Sequence, residues 1–240
     1  MASWGPVIVG APVRVILFGG TGMVGSGVLR ECLLDPAVDA VLSISRTSTQ
    51  VQSPKLAELL LPDLTDLSPV EERLVGYDAA FFCLGVSSVG KSEAEYSRVT
   101  YDLTTRVAET LARRNPTMTF VYVSGVGTDS TEKGRTMWAR VKGRTENALL
   151  RMPFKAAFMF RPGIIQPRYG IRSKNVGFRV GYVVLYPVVL ILKALTPRSI
   201  TSTDRVGLAM IRVARAGWAT PILLPADINA AAKLEADSVR

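Results

Sequence analysis

Gly19, Gly22 and Gly25 stand at G-x-x-G-x-x-G spacing directly after the apolar run Val13–Phe18. A glycine turn where a strand feeds a helix lets a phosphate approach the backbone, and the free N–H groups of the helix start, with their partial positive charge, meet it there. In that reading Gly19 permits the tight turn, Gly22 the approach of a pyrophosphate, and Gly25 the close packing of helix on strand. Thr21, Met23 and Val24 complete the turn and are expected beside the same pyrophosphate. The second strand ends in Ser43-Ile-Ser-Arg46-Thr47-Ser48, with no Asp or Glu to take ribose hydroxyls. Arg46 suits a 2'-phosphate instead, gripped in bidentate fashion with Ser45, Thr47 or Ser48 adding hydroxyls. The expected ligand is NADP(H), with NAD as the alternative, and Asp63 is expected on the adenine amino group.

The elements that must position these residues follow from hydrophobic periodicity. Apolar strands are predicted at Val13–Phe18, 40–45, 58–61, 79–83, Thr119–Val123 and Ala156–Phe160. Between them, Met23, Val24, Val28, Leu29 and Leu33 recur at helical spacing, 92–112 reads as one long amphipathic helix, and 138–150 as another. Beyond Gly163 helices are predicted at 183–195 and 204–216, with a last strand near 222–224. Strands alternating with helices predict an α/β fold, a doubly wound parallel sheet (Rossmann fold), with a small C-terminal substrate-side segment. The expected organisation is one domain over 1–240, with a dinucleotide-binding core at 13–163 and the substrate-side segment at 164–240. The turns after the strands, Leu84–Gly85 and Pro162–Gly163 among them, then face one cleft and are expected along the dinucleotide.

Composition narrows the chemistry. The 240 residues contain no histidine, which excludes Ser-His and Cys-His nucleophiles and imidazole zinc sites, and no metal is expected. Proton transfer falls to Tyr, Lys, a carboxylate, Cys or water. Cys32 and Cys83 form no closely spaced ligand pair and are expected as reduced core residues. The N-terminus has no basic start before Arg14 and no small-residue cleavage site, so the cytoplasm is the expected compartment. The net charge of +9 is unevenly placed, because 147–203 holds no acidic residue while Arg151, Lys155, Arg161, Arg168, Arg172, Lys174, Arg179, Lys193 and Arg198 lie there. That region is expected to attract a small anionic substrate or the cofactor phosphates. The apolar stretch 181–192 is too short to cross a bilayer and is broken by Pro187. Core or subunit packing, including a homo-oligomer contact, is favoured for it over a membrane surface or a wall of the substrate pocket, and no nucleic-acid role is expected.

Gly19-Gly-Thr-Gly-Met-Val-Gly25, Ser124 at the end of the fifth strand, Lys142 on a helix and Arg161-Pro-Gly163 together resemble the extended and atypical short-chain dehydrogenase/reductase superfamily. Val141-Lys-Gly-Arg-Thr-Glu146 followed by Phe160-Arg-Pro-Gly163 is most similar to its NmrA-like and Tat-interacting-protein-like branch, alongside bacterial epimerase-like members. The resemblance implies that Ser124 orients a substrate oxygen and that Lys142 holds the nicotinamide ribose. It also implies a tyrosine one helical turn before the lysine as proton donor. Trp138 stands there instead, and an indole N–H donates a hydrogen bond without giving up a proton. Tyr96, Tyr101, Tyr169, Tyr182 and, more weakly, Asp129 are the alternatives elsewhere, each more readily read as packing or surface. Arg161 has a structural reading and a substrate-contact reading. Two functions stay open: a reductase or sugar-nucleotide epimerase of altered chemistry, and a dinucleotide-binding redox sensor or scaffold without turnover.

Overall fold

A computed structural model describes residues 12–171 and 200–233. Seven strands form one parallel sheet in the order β3-β2-β1-β4-β5-β6-β9. They are β1 (Val13–Phe18), β2 (Val38–Ser45), β3 (Leu56–Leu60), β4 (Ala79–Phe82), β5 (Thr119–Val123), β6 (Ala156–Phe160) and β9 (Ile222–Leu223). β7 (Ile164–Gln166) and β8 (Ile200–Ser202) pair separately in parallel. The doubly wound architecture follows from side chains alternating across each strand. On β1, Val13, Val15 and Leu17 enter one core, and Ile16 and Phe18 the other.

The first core lies under α1 (Met23–Leu34) and two later helices, α5 (Thr203–Ala216) and α6 (Pro225–Ala231), through Val28, Leu29, Val206, Met210, Val213 and Ile228. The second lies under α3 (Leu103–Arg114) and α4 (Met137–Leu150), through Val107, Leu111 and Leu149. It carries a row of rings, Phe18, Phe82, Phe120 and Phe154, with successive centroids 5.4, 6.0 and 5.0 Å apart. The C-terminal residues from Ile200 onward therefore supply a sheet strand and a large part of one core.

Several expectations need correction. No helix joins β2 to β3; residues 46–55 cross back as an irregular loop, and β3 is joined to β4 through a 3-10 segment (Ser68–Leu74). The long helix expected at 92–112 begins at α2 (Glu93–Ser97), capped reciprocally by Ser92 and Glu95, passes through a π segment (Arg98–Asp102), and continues as α3. Periodicity cannot register such a widened turn, because it shifts the apolar stripe without breaking it. The helix expected at 183–195, the apolar stretch 181–192, Tyr182, Arg172, Lys174, Arg179, Lys193 and Arg198 lie outside the described residues. Among the described residues no helix is long and apolar enough to cross a membrane.

Candidate active site

The strand order reverses between β1 and β4, and the turns at the carboxyl ends of β1, β4, β5 and β6 open on one side at that point. Ligands of doubly wound sheets bind in that crevice. A cleft of about 470 Å³ lies there, within the range of small-molecule sites.

The first wall is the turn from β1 into α1. Gly19 has φ +83°, and a Cβ there would fall 2.9 Å from the Cys83 and Leu84 backbone of the neighbouring strand end. A Cβ on Gly25 would lie 2.0 Å from the Gly19 carbonyl oxygen, so the first turn of α1 rests directly on the loop. The Gly22 N–H donates to that oxygen at 2.9 Å. No side chain caps α1 and no acidic residue occupies its first turn. Its open N–H groups belong to Met23 and Val24, which line the cleft with Gly22. An uncapped helix start facing a cleft is a donor set matched to a pyrophosphate, so these residues fit a dinucleotide.

The second wall holds Leu84 and Gly85 after β4 and Pro162, Gly163 and Ile165 after β6. Gly19, Thr21, Gly25, Arg46 and Asp63 are not part of the cleft lining: Gly19 and Gly25 support it from behind. Arg46 is exposed at the end of β2 and makes no ion pair with any described residue. The hydroxyls expected around it are engaged, Ser45 donating to the Thr47 carbonyl at 2.6 Å and Ser48 to Glu58 Oε2 at 2.7 Å. Burial acts to raise the Glu58 carboxyl, but the bonds from Ser48 and Thr49 outweigh it and hold it below its usual range. Asp63 is exposed and binds Thr65 through its backbone N–H and hydroxyl, which likewise lowers its carboxyl.

The third wall is α4, which places Trp138, Lys142 and Glu146 one turn apart on one face. Gly143 lets that helix approach: a Cβ there would sit 1.7 Å from the Asp129 carbonyl oxygen. Trp138 and Lys142 line the cleft with Ser124. The Lys142 ammonium donates to the Ser124 carbonyl at 2.5 Å. Burial lowers its Nζ to about 8, with the Glu146 carboxylate pulling the other way.

Glu146 went unrecognised as a site residue in the sequence. Fully buried, it accepts from Ser124 Oγ at 2.5 Å and from Arg161 Nε at 3.1 Å and Nη2 at 2.5 Å. Arg161 also donates to Ser130 Oγ. The hydroxyl hydrogen of Ser124, expected on a substrate oxygen, therefore has acceptors within the protein, Glu146 and the Phe160 carbonyl at 3.1 Å. Its spacing four residues beyond Lys142 was the available signal. The partner that makes it matter is on another strand end.

The alternative proton donors stand elsewhere. Tyr96 is buried, which raises its phenol; Tyr101 lies under Arg144, and Tyr169 is exposed against Arg30. None of the three lines the cleft. Asp129 is occupied in its own loop, accepting from the Thr131 hydroxyl and the Gly134 N–H, and is held low by them. Of the basic residues in the acid-free region, Arg161 is turned inward to Glu146, and Arg168 Nε lies 3.9 Å from Asp204.

The profile of the NAD dependent epimerase/dehydratase family matches residues 15–136, from β1 to the approach of α4. The chain belongs to that family. This bears out the resemblance to the short-chain dehydrogenase/reductase superfamily. Over 159 residues it is 30% identical to "Protein fmp52, mitochondrial" of Emericella nidulans, a match covering 63% of this chain and 66% of that protein's length. Two solved structures share the fold. The Bordetella bronchiseptica enzyme WbmF in complex with NAD+ has a TM-score of 0.63 at 17% identity, covering 93% of this chain and 78% of that one. A short chain dehydrogenase from Burkholderia cenocepacia in complex with NADP has a TM-score of 0.60 at 12% identity, covering 95% and 94%.

The relatives overturn the expected cytoplasmic location, since this relative and others carry mitochondrial names. The expectation rested on unpaired cysteines and on the reading of residues 1–14 against a secretion signal. Those features separate reducing from oxidising compartments and do not distinguish among reducing ones.

Proposed function

We propose that this protein is an NADP(H)-dependent oxidoreductase acting on the carbonyl or alcohol of a small substrate. The observation that carries this reading is the convergence, in one cleft at the switch point, of the uncapped α1 N-terminus with Ser124 and Lys142. A sheet end that only packed would have no reason to leave helix donors open and a lysine enclosed beside them. The dinucleotide, when bound, supplies or accepts hydride. Met23 and Val24 would hold its pyrophosphate through their N–H groups, Leu84–Gly85 and Pro162–Gly163 would flank it, and Lys142 would meet its nicotinamide half. The preference for the 2'-phosphorylated form rests on Arg46, exposed and without an ion pair among the described residues, at the strand end that reads the adenosine ribose.

The second reading is a dinucleotide-binding sensor or scaffold without turnover, and Trp138 favours it by removing the phenol that the superfamily uses as an acid. Calorimetric titration with NADPH and NADH, followed by absorbance at the reduced-nicotinamide band with a panel of carbonyl compounds, separates the two. Tight NADPH binding with carbonyl-dependent oxidation supports the oxidoreductase; binding without oxidation across the panel supports the sensor. Absence of binding to either nucleotide overturns both. The mitochondrial names of the relatives extend to a proposed mitochondrial location, checked by fractionation of cells producing the tagged full chain.

A further inference from the structure

We propose that Lys142 itself gives and takes the proton in this cleft, the role that a tyrosine fills elsewhere in the superfamily; the proposal rests on the oxidoreductase reading above. The geometry leaves few other candidates. Among the described residues lining the cleft, only Cys83 and Lys142 carry ionisable side chains. Burial pushes the Cys83 thiol up to about 12, so it neither loses its proton near neutrality nor recovers one. Ser124 is engaged with Glu146, and the Trp138 indole is not an acid. The described tyrosines Tyr77, Tyr96, Tyr101, Tyr122 and Tyr169 all lie away from the cleft lining.

The surroundings of Lys142 suit a group that changes charge. The one acid facing it is Glu146 on its own helix, and no ion pair forms between them among the described residues. The Arg161 guanidinium, from the end of β6, occupies that carboxylate instead. Cys83 at the end of β4 is neutral, and the neighbouring lining residues of the β1–α1 turn, β5 and the β6–β7 turn carry no charge. Among the described residues Lys142 thus has no neutralising partner, and burial draws it to about 8, where both of its forms are populated near physiological pH. Nζ spends one N–H on the Ser124 carbonyl, leaving two to offer to a ligand.

In the reducing direction, Nζ passes a proton to the substrate carbonyl oxygen as that carbonyl carbon receives hydride from the reduced nicotinamide dinucleotide. The C=O π bond is lost, one C–H and one O–H bond form, the dinucleotide leaves oxidised, and neutral Nζ recovers a proton from water. The oxidising direction is the reverse, with neutral Nζ as the base.

Two measurements test this. Competitive acylation of the wild-type chain with limiting acetic anhydride between pH 6 and 11, read by mass spectrometry of the Lys142 peptide, gives the titration midpoint of Nζ directly. A midpoint near 8, with protection by NADPH, is expected; a midpoint of about 10.4, the ordinary lysine value, overturns the proposal. Lys142→Arg retains a positive charge and hydrogen-bond donors but cannot release a proton. It is expected to lower kcat at saturating NADPH by at least about 100-fold, with any loss of NADPH affinity read separately by calorimetry. A kcat retained within about threefold overturns the proposal while leaving the oxidoreductase reading intact. A wild-type chain that binds no NADPH overturns the reading beneath it, and this proposal with it.

Discussion

The buried pair Glu146–Arg161 offers the sharpest check on how the site is held. Glu146 is fully buried and the Arg161 side chain is 14% exposed, so neither charge is well solvated. Glu146→Met strands the guanidinium, leaving only its bond to Ser130. Arg161→Met leaves the carboxylate hydrogen-bonded only to Ser124 among the described residues, with Lys142 one turn away. Removing one partner of a buried pair costs about 3–5 kcal/mol, whereas replacing both by apolar side chains of similar volume is often close to neutral. The double variant should therefore lose less than about 2 kcal/mol, giving a coupling energy of at least about 4 kcal/mol in a double-mutant cycle. Urea unfolding of the four proteins, followed by tryptophan fluorescence at one pH, measures it. A single variant that fails to fold while the double folds reports the same coupling in coarser form. Losses that add to within about 0.5 kcal/mol would show that the two charges do not depend on each other, and the account of Ser124 as part of a closed network would fall with them.

Other predictions follow from neighbouring observations. Lys142 titrates near 8 when folded and near 10.5 when unfolded, so the unfolded chain binds more protons between those values and its contribution to stability rises with pH across that window. The stability difference between wild type and Lys142→Met should therefore move by about 2 kcal/mol in favour of wild type from pH 7 to pH 9.5, measured by urea unfolding; a pH-independent difference refutes the enclosed lysine. Gly25→Ala would bring a Cβ to 2.0 Å from the Gly19 carbonyl oxygen, and should destabilise by about 1–3 kcal/mol or more and weaken NADPH binding at least tenfold. An unchanged melting temperature and affinity would contradict the close approach. Arg46→Ala should weaken NADPH by about 10- to 100-fold and leave NADH nearly unaffected, by calorimetry, because only the former carries the 2'-phosphate.

The sheet and the glycine turn after its first strand were legible in the sequence. These are written in local patterns: β-branched and aromatic runs at Val13–Phe18, Thr119–Val123 and Ala156–Phe160, and three glycines whose spacing states where backbone must meet backbone or phosphate. Lys142 and Trp138 were singled out by the family resemblance, and one helical turn fixes their relation regardless of the rest of the fold. The β2–β3 crossing without a helix, the π segment and the β7–β8 pair were not legible, since each depends on what the chain packs against rather than on its own periodicity. The same holds at the site. Glu146 looks in sequence like a polar residue on an amphipathic helix, and Arg161 reads equally as a structural residue or a substrate contact. Only the tertiary structure brings the end of β6 against α4, so that their charges satisfy each other and Ser124 is drawn in. Lys142 is then left enclosed without an opposite charge, because an electrostatic environment is a sum over neighbours in space, and those neighbours come from strand ends far apart in the chain.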